Sequence, residues 1–385
     1  MTEKMVSRVS WVDSLRGLSA LVVMVLHFFH ITLVALYAQL SGQPLDRAQH
    51  KVLENTLTLY RQLPIDVTPY LWPADGIFTF WDAGKVGVLV FFLISGFVIP
   101  MSLGGKAVQP LKRFVVSRFF RLYPVYWFSL LVLLVVHLSF HFKVPGWPQI
   151  LLNFTMFQKF FFQPDLNGVA WTLQIELIFY GLCALLFYWR RLTEFKAIAC
   201  MIGLNLLLGL AMALVNFKLG KSLPLALPLG LTYMWFGYLS RAFFADSSFS
   251  SRSALTVIAV SLPLVCLICW LGYHEDGLRY VITYLSAPLI FALGRFAFNR
   301  HQAILFFLGQ ISYSVYLLHT LVGVVVINGL INAFSTAWFI QHPEMVFLPA
   351  LLAMGMTILV SYITYSSIEK PCIKLGKQMI TQRGY

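Results

Sequence analysis

The chain has 385 residues, of which 59% are hydrophobic and only 11% charged, with a mean hydropathy of +0.78. Soluble domains carry about 25% charged residues, so an ordinary water-soluble fold is excluded and lipid is the expected solvent. The net charge of +13 would suggest nucleic acid as a partner of a soluble chain. Here the basic residues gather in loops on one side of a bilayer, and no nucleic-acid partner is expected.

A membrane helix needs about 20 mostly apolar residues. Runs of that kind occur at approximately 14–38, 84–103, 121–141, 169–189, 197–216, 223–242, 254–272, 279–296, 304–330 and 346–367. The expected fold is therefore an all-α integral membrane protein of about ten transmembrane helices, forming a single domain over 1–385. The first run reads as a retained span and not a cleaved leader. The polar stretch 39–83, with Pro44, Pro64, Pro69 and Pro73, is the longest connection and reads as an ordered outer cap. The apolar but short segment 147–163 is expected to be re-entrant or interfacial.

Orientation follows from Lys and Arg. One side collects Lys4, Arg8, Arg16, Lys106, Lys112, Arg113, Arg118, Arg121, Arg190, Arg191, Lys196, Arg241, Arg252, Arg295, Arg300, Lys370, Lys374, Lys377 and Arg383, which is 19 of the 28 basic residues. That side is expected to be cytoplasmic, with both termini on it. The five cysteines include Cys266 and Cys269 as a C-x-x-C inside an apolar run. Without further ligands nearby they read as small apolar helix residues, and neither a metal site nor a disulfide framework is indicated. No internal repeat is visible, which counts against a repeat-built transporter.

Ionisable residues within spans point to function. They are His27 and His30 in the first span, Glu176 in the fourth, His319 in the ninth and His137 near the end of the third. Asp13, Arg16 and His27 share one face of the first helix, because eleven residues at 100° return to within about 20° of the starting direction. They do not share a depth: Arg16 and His27 are ~16 Å apart along the axis. Asp13 therefore cannot orient His27. Counting down from the outer surface places Glu176 at roughly the depth of His27, where a carboxylate would fix the tautomer of a histidine base. Arg118 and Arg121, one turn apart at the entry to the third span, could join Arg16, Lys112 and Arg113 in a phosphate-binding cluster. The charge bias of that side accounts for them equally well. A basic inner site with a buried base one long-arm distance above it would suit an acyl-CoA, its phosphates inside and its thioester near His27.

Six sequence motifs in order carry a resemblance. They are Asp13-x-x-Arg16-Gly17 with His27 beyond, and the stretch holding Asp82, Gly84, Gly87, Phe91, Ser95, Gly96 and Phe97. R-F-F-R-L-Y-P (Arg118, Arg121, Pro124) and W-T-L-Q-I-E-L-I-F-Y (Trp171, Glu176, Phe179, Tyr180) follow. The last two are G-Q-I-S-Y-S-V-Y-L-L-H (Ser312, Tyr313, Tyr316, His319) and I-E-K-P (Glu369, Pro371). The chain resembles the acyltransferase-3 family of polytopic membrane proteins. That resemblance implies transfer of an acyl group, most often acetyl from acetyl-CoA, to a hydroxyl of a carbohydrate or lipid-linked glycan outside the bacterial cytoplasmic (inner) membrane. It implies essential roles for Arg16 and His27 and important ones for Arg118 and Arg121. Some relatives carry a C-terminal esterase-like domain, and none is expected here.

On this reading His27 is the general base toward the acceptor hydroxyl, and Glu176 orients it or contacts the acceptor. Ser95 and Tyr313 are candidates to stabilise the oxyanion. A covalent acyl-enzyme and direct transfer both remain open. The expected donor-binding set is Arg16, Arg113, Arg118 and Arg121, with acyl-CoA as a substrate and no resident cofactor. The competing class is a transporter or flippase of a glycan or polar lipid, which would also use many spans and buried charges.

Overall fold

A computed structural model describes residues 10–41, 80–104, 108–139, 145–245, 247–298 and 302–382. His30's side chain, most of the 39–83 connection, and Lys4, Arg8, Lys106, Arg300 and Arg383 lie outside the described residues.

The described chain is helical, without a strand. Its main helices are α1 (Ser10–Ser41), α2 (Ala83–Val98), α3 (Pro110–Ser139), α4 (Trp147–Thr155), α5 (Trp171–Tyr188), α6 (Phe195–Leu219), α7 (Ala226–Leu239), α8 (Ser251–Gly272), α9 (Gly277–Ala297), α10 (Ala303–Phe334), α11 (Leu348–Thr364) and α12 (Lys370–Gln382). Among the described residues, nine helical segments are long and apolar enough to cross a membrane. The protein is an all-helical, multi-spanning membrane protein.

Nine of the ten expected runs correspond to those segments. The remaining run, 223–242, is α7, which has only 14 residues. At ~21 Å it is shorter than the hydrocarbon layer. Every residue from Pro228 to Leu239 is buried, so protein and not lipid surrounds it. A helix that is apolar on all faces belongs in such a position. Its direction is recorded in the packing. α1 and α10 run parallel, with Asp13 against Gly309 at one end and Phe28 against Gly323 at the other. Helices in a bundle of alternating direction align in parallel when an odd number of crossings separates them. Among the described residues seven helices (α2, α3, α5, α6, α7, α8, α9) lie between, in keeping with α7 as a crossing despite its length.

Two reciprocal glycine contacts hold the centre. A Cβ on Gly17 would lie 2.1 Å from the Leu305 carbonyl oxygen, and one on Gly309 would lie 1.9 Å from that of Asp13. A Cβ on Gly96 would lie 1.7 Å from the Met234 oxygen, and one on Gly237 would lie 2.0 Å from that of Leu93. Small residues at a crossing let two backbones touch, which drives helix association where lipid removes the hydrophobic gain. At the basic end of the bundle, Trp11 packs edge-on against Phe97, Phe244 and Phe291, tying α1, α2 and α9 together.

Two departures from the expected spans shape the site. α3 starts at Pro110, about three turns before the expected 121, so Lys112, Arg113, Arg118 and Arg121 lie on its own first turns. After Thr364 the chain makes a π-helical segment, Tyr365–Glu369, before α12. Such bulges turn side chains out of the regular register, often at functional sites.

Gly309→Ala should destabilise the bundle, because the new methyl meets backbone that no rotamer change can relieve. A loss of at least about 1–3 kcal/mol is expected. Thermal unfolding in detergent checks this against Gly181→Ala, where nothing lies within 4 Å and the midpoint should not fall.

Candidate active site

A cavity of about 490 Å³ opens at the basic end of the bundle and runs inward between α1, α2, α3, α5, α10 and α12. Asp13, Arg16, Ser95, Arg118, Arg121, Glu176 and Tyr313 all line it. Most of the candidate residues, scattered over 300 positions, thus converge on one space. Arg113 does not: it lies exposed on α3, outside the cavity. The cavity adds residues that the sequence reading passed over as sites, namely Arg241, Lys377, Thr172 and Tyr316.

The arginines are held in different ways. Arg118 donates from Nη2 to Ser102 Oγ (2.9 Å) and lies over the rings of Phe114 and Tyr180, 5.5 and 5.4 Å from their centroids. Its Nε is buried without a partner. Arg16 and Arg121 are neither hydrogen-bonded nor ion-paired to any described residue. Arg16 sits in the field of Arg121 as a like charge and of Asp13, Glu176 and Glu369 as opposite ones. Arg241 is buried, donates to the Phe97 carbonyl (3.1 Å) and stacks over that ring. Five cationic side chains therefore line the cavity against the two carboxylates Asp13 and Glu176. The guanidinium groups of Arg16 and Arg121, in a space of low dielectric, favour a multiply charged anion, and their planar forks suit phosphate oxygens.

Glu369 completes this end from the π segment. It is buried and accepts a hydrogen bond from Ser314 Oγ (2.7 Å). The signal for it was present as a lone acid closing the last apolar run, within the I-E-K-P motif.

Glu176 is not beside His27. It accepts the hydroxyl proton of Tyr180 and lines the arginine-rich cavity. The reason lies in the chain before it. Tyr126 and Trp127, in the middle of α3, donate to the carbonyls of Asn153 and Phe154 at the end of α4 (2.8 and 2.9 Å). Asn167 then donates to the Leu317 carbonyl in the middle of α10 (3.0 Å). So α5 begins inside the bundle and not at its surface. Its Thr172 meets the Tyr316 hydroxyl at 2.8 Å, and Glu176 follows one turn, or about 6 Å, further toward the basic end.

His27 has a different partner. His319 Nε2 lies 2.9 Å from His27 Nδ1, with ring centroids 4.9 Å apart. His319 is buried, and its Nδ1 lies 2.8 Å from the Tyr316 carbonyl oxygen and 3.1 Å from that of Val315. The pair stands just past the inner end of the cavity. Tyr316, a cavity residue, has its ring 6.0 Å from those of both His319 and Phe91. Tyr313, an oxyanion candidate, lines the cavity, and its hydroxyl donates to the Leu122 carbonyl (2.7 Å).

The comparisons with known proteins identify the family. Residues 9–366 match the family described as Acyltransferase domain, Acyl_transf_3. "Exopolysaccharide production protein ExoZ" of Rhizobium meliloti (strain 1021) is 26% identical over 308 residues, covering 76% of this chain and 91% of that protein. ORF330 of Acidianus two-tailed virus, provisionally named an acetyltransferase, is 24% identical over 280 residues, covering 68% of this chain and 81% of that protein. No solved structure matches. The chain belongs to the Acyl_transf_3 family and is an acyltransferase.

Inorganic pyrophosphate should raise the thermal midpoint of the purified protein, since a ligand that binds only the folded state stabilises it. Arg118→Ala combined with Arg121→Ala should abolish the shift, whereas Arg113→Ala should keep it. Differential scanning fluorimetry in detergent reads all three.

Proposed function

Starting from membership of this family, we propose that the protein is a membrane O-acyltransferase. It moves an acyl group, acetyl from acetyl-CoA, from the cytoplasmic side to a hydroxyl of a glycan or lipid-linked saccharide on the outer side of a bacterial inner membrane. The observation that carries the proposal is one helix with two chemistries. α1 presents Arg16 to an arginine-lined cavity at the basic end and His27 to a buried histidine ~16 Å further along the same face.

The donor enters at the basic end, which the distribution of Lys and Arg assigns to the cytoplasm together with both termini. Arg16, Arg118 and Arg121 bind its phosphates. Its amide-bearing arm extends along the cavity, where Ser95 and Glu176 offer polar contacts between the apolar walls of Phe91, Phe92 and Leu173. The thioester then arrives near Tyr316, next to the histidine pair. His27 takes the proton of the acceptor hydroxyl as the oxygen attacks the thioester carbonyl. The carbon–sulfur bond breaks, the leaving sulfur takes the proton that His27 holds, and CoA departs as the thiol with His27 neutral again. The acceptor class is supported by the name of the Rhizobium relative, and acetyl as the acyl group by the name of the viral one.

Membrane vesicles containing the protein, supplied with radiolabelled acetyl-CoA, should move label into the saccharide fraction. His27→Ala should abolish transfer while the protein still inserts and binds donor. Near-normal transfer by that variant would overturn the assignment of the base. Mass spectrometry of surface glycans from cells with and without the gene identifies the acceptor.

A further inference from the structure

The histidine pair determines which nitrogen of His27 is the base. Two ring nitrogens 2.9 Å apart share one hydrogen, with one donating and the other accepting. The far side of His319 decides which. Its Nδ1 faces two backbone carbonyl oxygens, Tyr316 at 2.8 Å and Val315 at 3.1 Å. Carbonyl oxygens only accept, so Nδ1 carries a hydrogen. A neutral imidazole has one N–H, which leaves His319 Nε2 with a lone pair aimed at His27. His27 Nδ1 is therefore the donor, and neutral His27 keeps its own lone pair on Nε2.

The alternative, a cationic His319 with hydrogens on both nitrogens, would bury a charge. The residue is 1% exposed, and no carboxylate is hydrogen-bonded to either ring among the described residues. An unpaired buried cation is costly. The neutral arrangement satisfies every polar atom of His319, and the carbonyls that anchor it are fixed in α10. The packing of α1 on α10 sets the spacing, because Gly309 and Gly323 admit the Asp13 backbone and the Phe28 ring.

We propose that His319 is a positioning residue that holds His27 as its Nδ1–H tautomer, leaving Nε2 as the atom that takes the acceptor's proton. The proposal rests on the assignment of His27 as the base. When His27 gains a proton at Nε2, its Nδ1–H bond to His319 remains, and the new positive charge faces a lone pair backed by two carbonyl dipoles. A neutral imidazole anchored to backbone thus does what a carboxylate does behind a catalytic histidine elsewhere. No second charge is placed in the membrane.

The test follows label from [14C]acetyl-CoA into the saccharide fraction of membranes from cells lacking the native gene, at varied donor concentration. His319→Leu keeps comparable bulk and removes the acceptor. It should lower kcat about 100-fold, the scale of a lost general base, with donor KM within about threefold of wild type. His319→Gln can present Oε1 to His27 Nδ1–H and should retain activity within about tenfold of wild type. His319→Lys offers only donors and should be as inactive as the leucine variant. Wild-type kcat in His319→Leu overturns the proposal, as does a glutamine variant no better than leucine while donor KM is unchanged. Solid-state 15N NMR of histidine-labelled wild-type protein in bilayers, with His27→Ala for assignment, reads the tautomer without relying on a position-319 variant. Hydrogen on Nδ1 of His27 and a bare Nε2 are expected, and the reverse overturns the proposal. Full transfer by His27→Ala would instead refute the base on which it rests. An active His319→Leu beside an inactive His27→Ala refutes the role of His319 alone.

Discussion

The arrangement of the site depends on the contact between α1 and α10. At Gly17 and Gly309 the two backbones meet with no side chain between them. That contact fixes the helices in rotation and in register as well as in distance. Arg16 adjoins the crossing. From there each helix rises in parallel with the other, and about ten residues later His27 meets His319. A larger residue at either glycine would push the axes apart, moving the imidazoles out of hydrogen-bond range and Arg16 away from the arginines of α3. The arginine-lined end and the histidine pair are thus set by one close approach.

The remaining elements supply charge around that axis. α3 brings Arg118 and Arg121 on its first turns, and Arg118 is held by Ser102 and two aromatic faces. The π segment after α11 turns Glu369 inward to Ser314. The segment before α5 folds inward far enough that Glu176 falls among the cations. Guanidinium groups in a low-dielectric space would repel one another, and Asp13, Glu176 and Glu369 temper that repulsion around Arg16 without pairing directly with it. The site is therefore held together while its guanidinium forks stay available for an anion.

Much of this was legible in the sequence, and the physical reasons for the rest are specific. Hydropathy found the spans, because about 20 apolar residues in a row have few alternatives to lipid. It placed α7 as a crossing but could not show that protein covers it on every side. Residue types and motif order picked out Arg16, His27, Arg118, Arg121 and His319. Depth arithmetic failed for Glu176 because it assumes that a span starts at the membrane surface, whereas α5 starts against Leu317 and Tyr316 inside the bundle. The partner of His27 was missed for a different reason. A pair formed by residues 292 positions apart depends on which helices touch, and a single chain records that only through small residues such as Gly17 and Gly309. Residue type marked Tyr313 as a hydroxyl near the site, but it could not show that hydroxyl's acceptor, the Leu122 carbonyl.

If Arg16 binds the donor and His27 is the base, as proposed, placing both on one face of one helix has a consequence for selectivity. The ~16 Å between Arg16 and His27 is a property of the α-helix and does not flex. A donor whose phosphates are held at the arginines must bring its reactive carbon about that far inward. Shifting the base by one turn of α1 would change the length read by 5.4 Å, but it would also remove the base from His319, whose own nitrogen is committed to α10 carbonyls. The two histidines can move only together, and only if the glycine register moves with them. Under the proposed mechanism this geometry resists gradual change in donor length and leaves the acceptor side, beyond the histidine pair, free of that constraint.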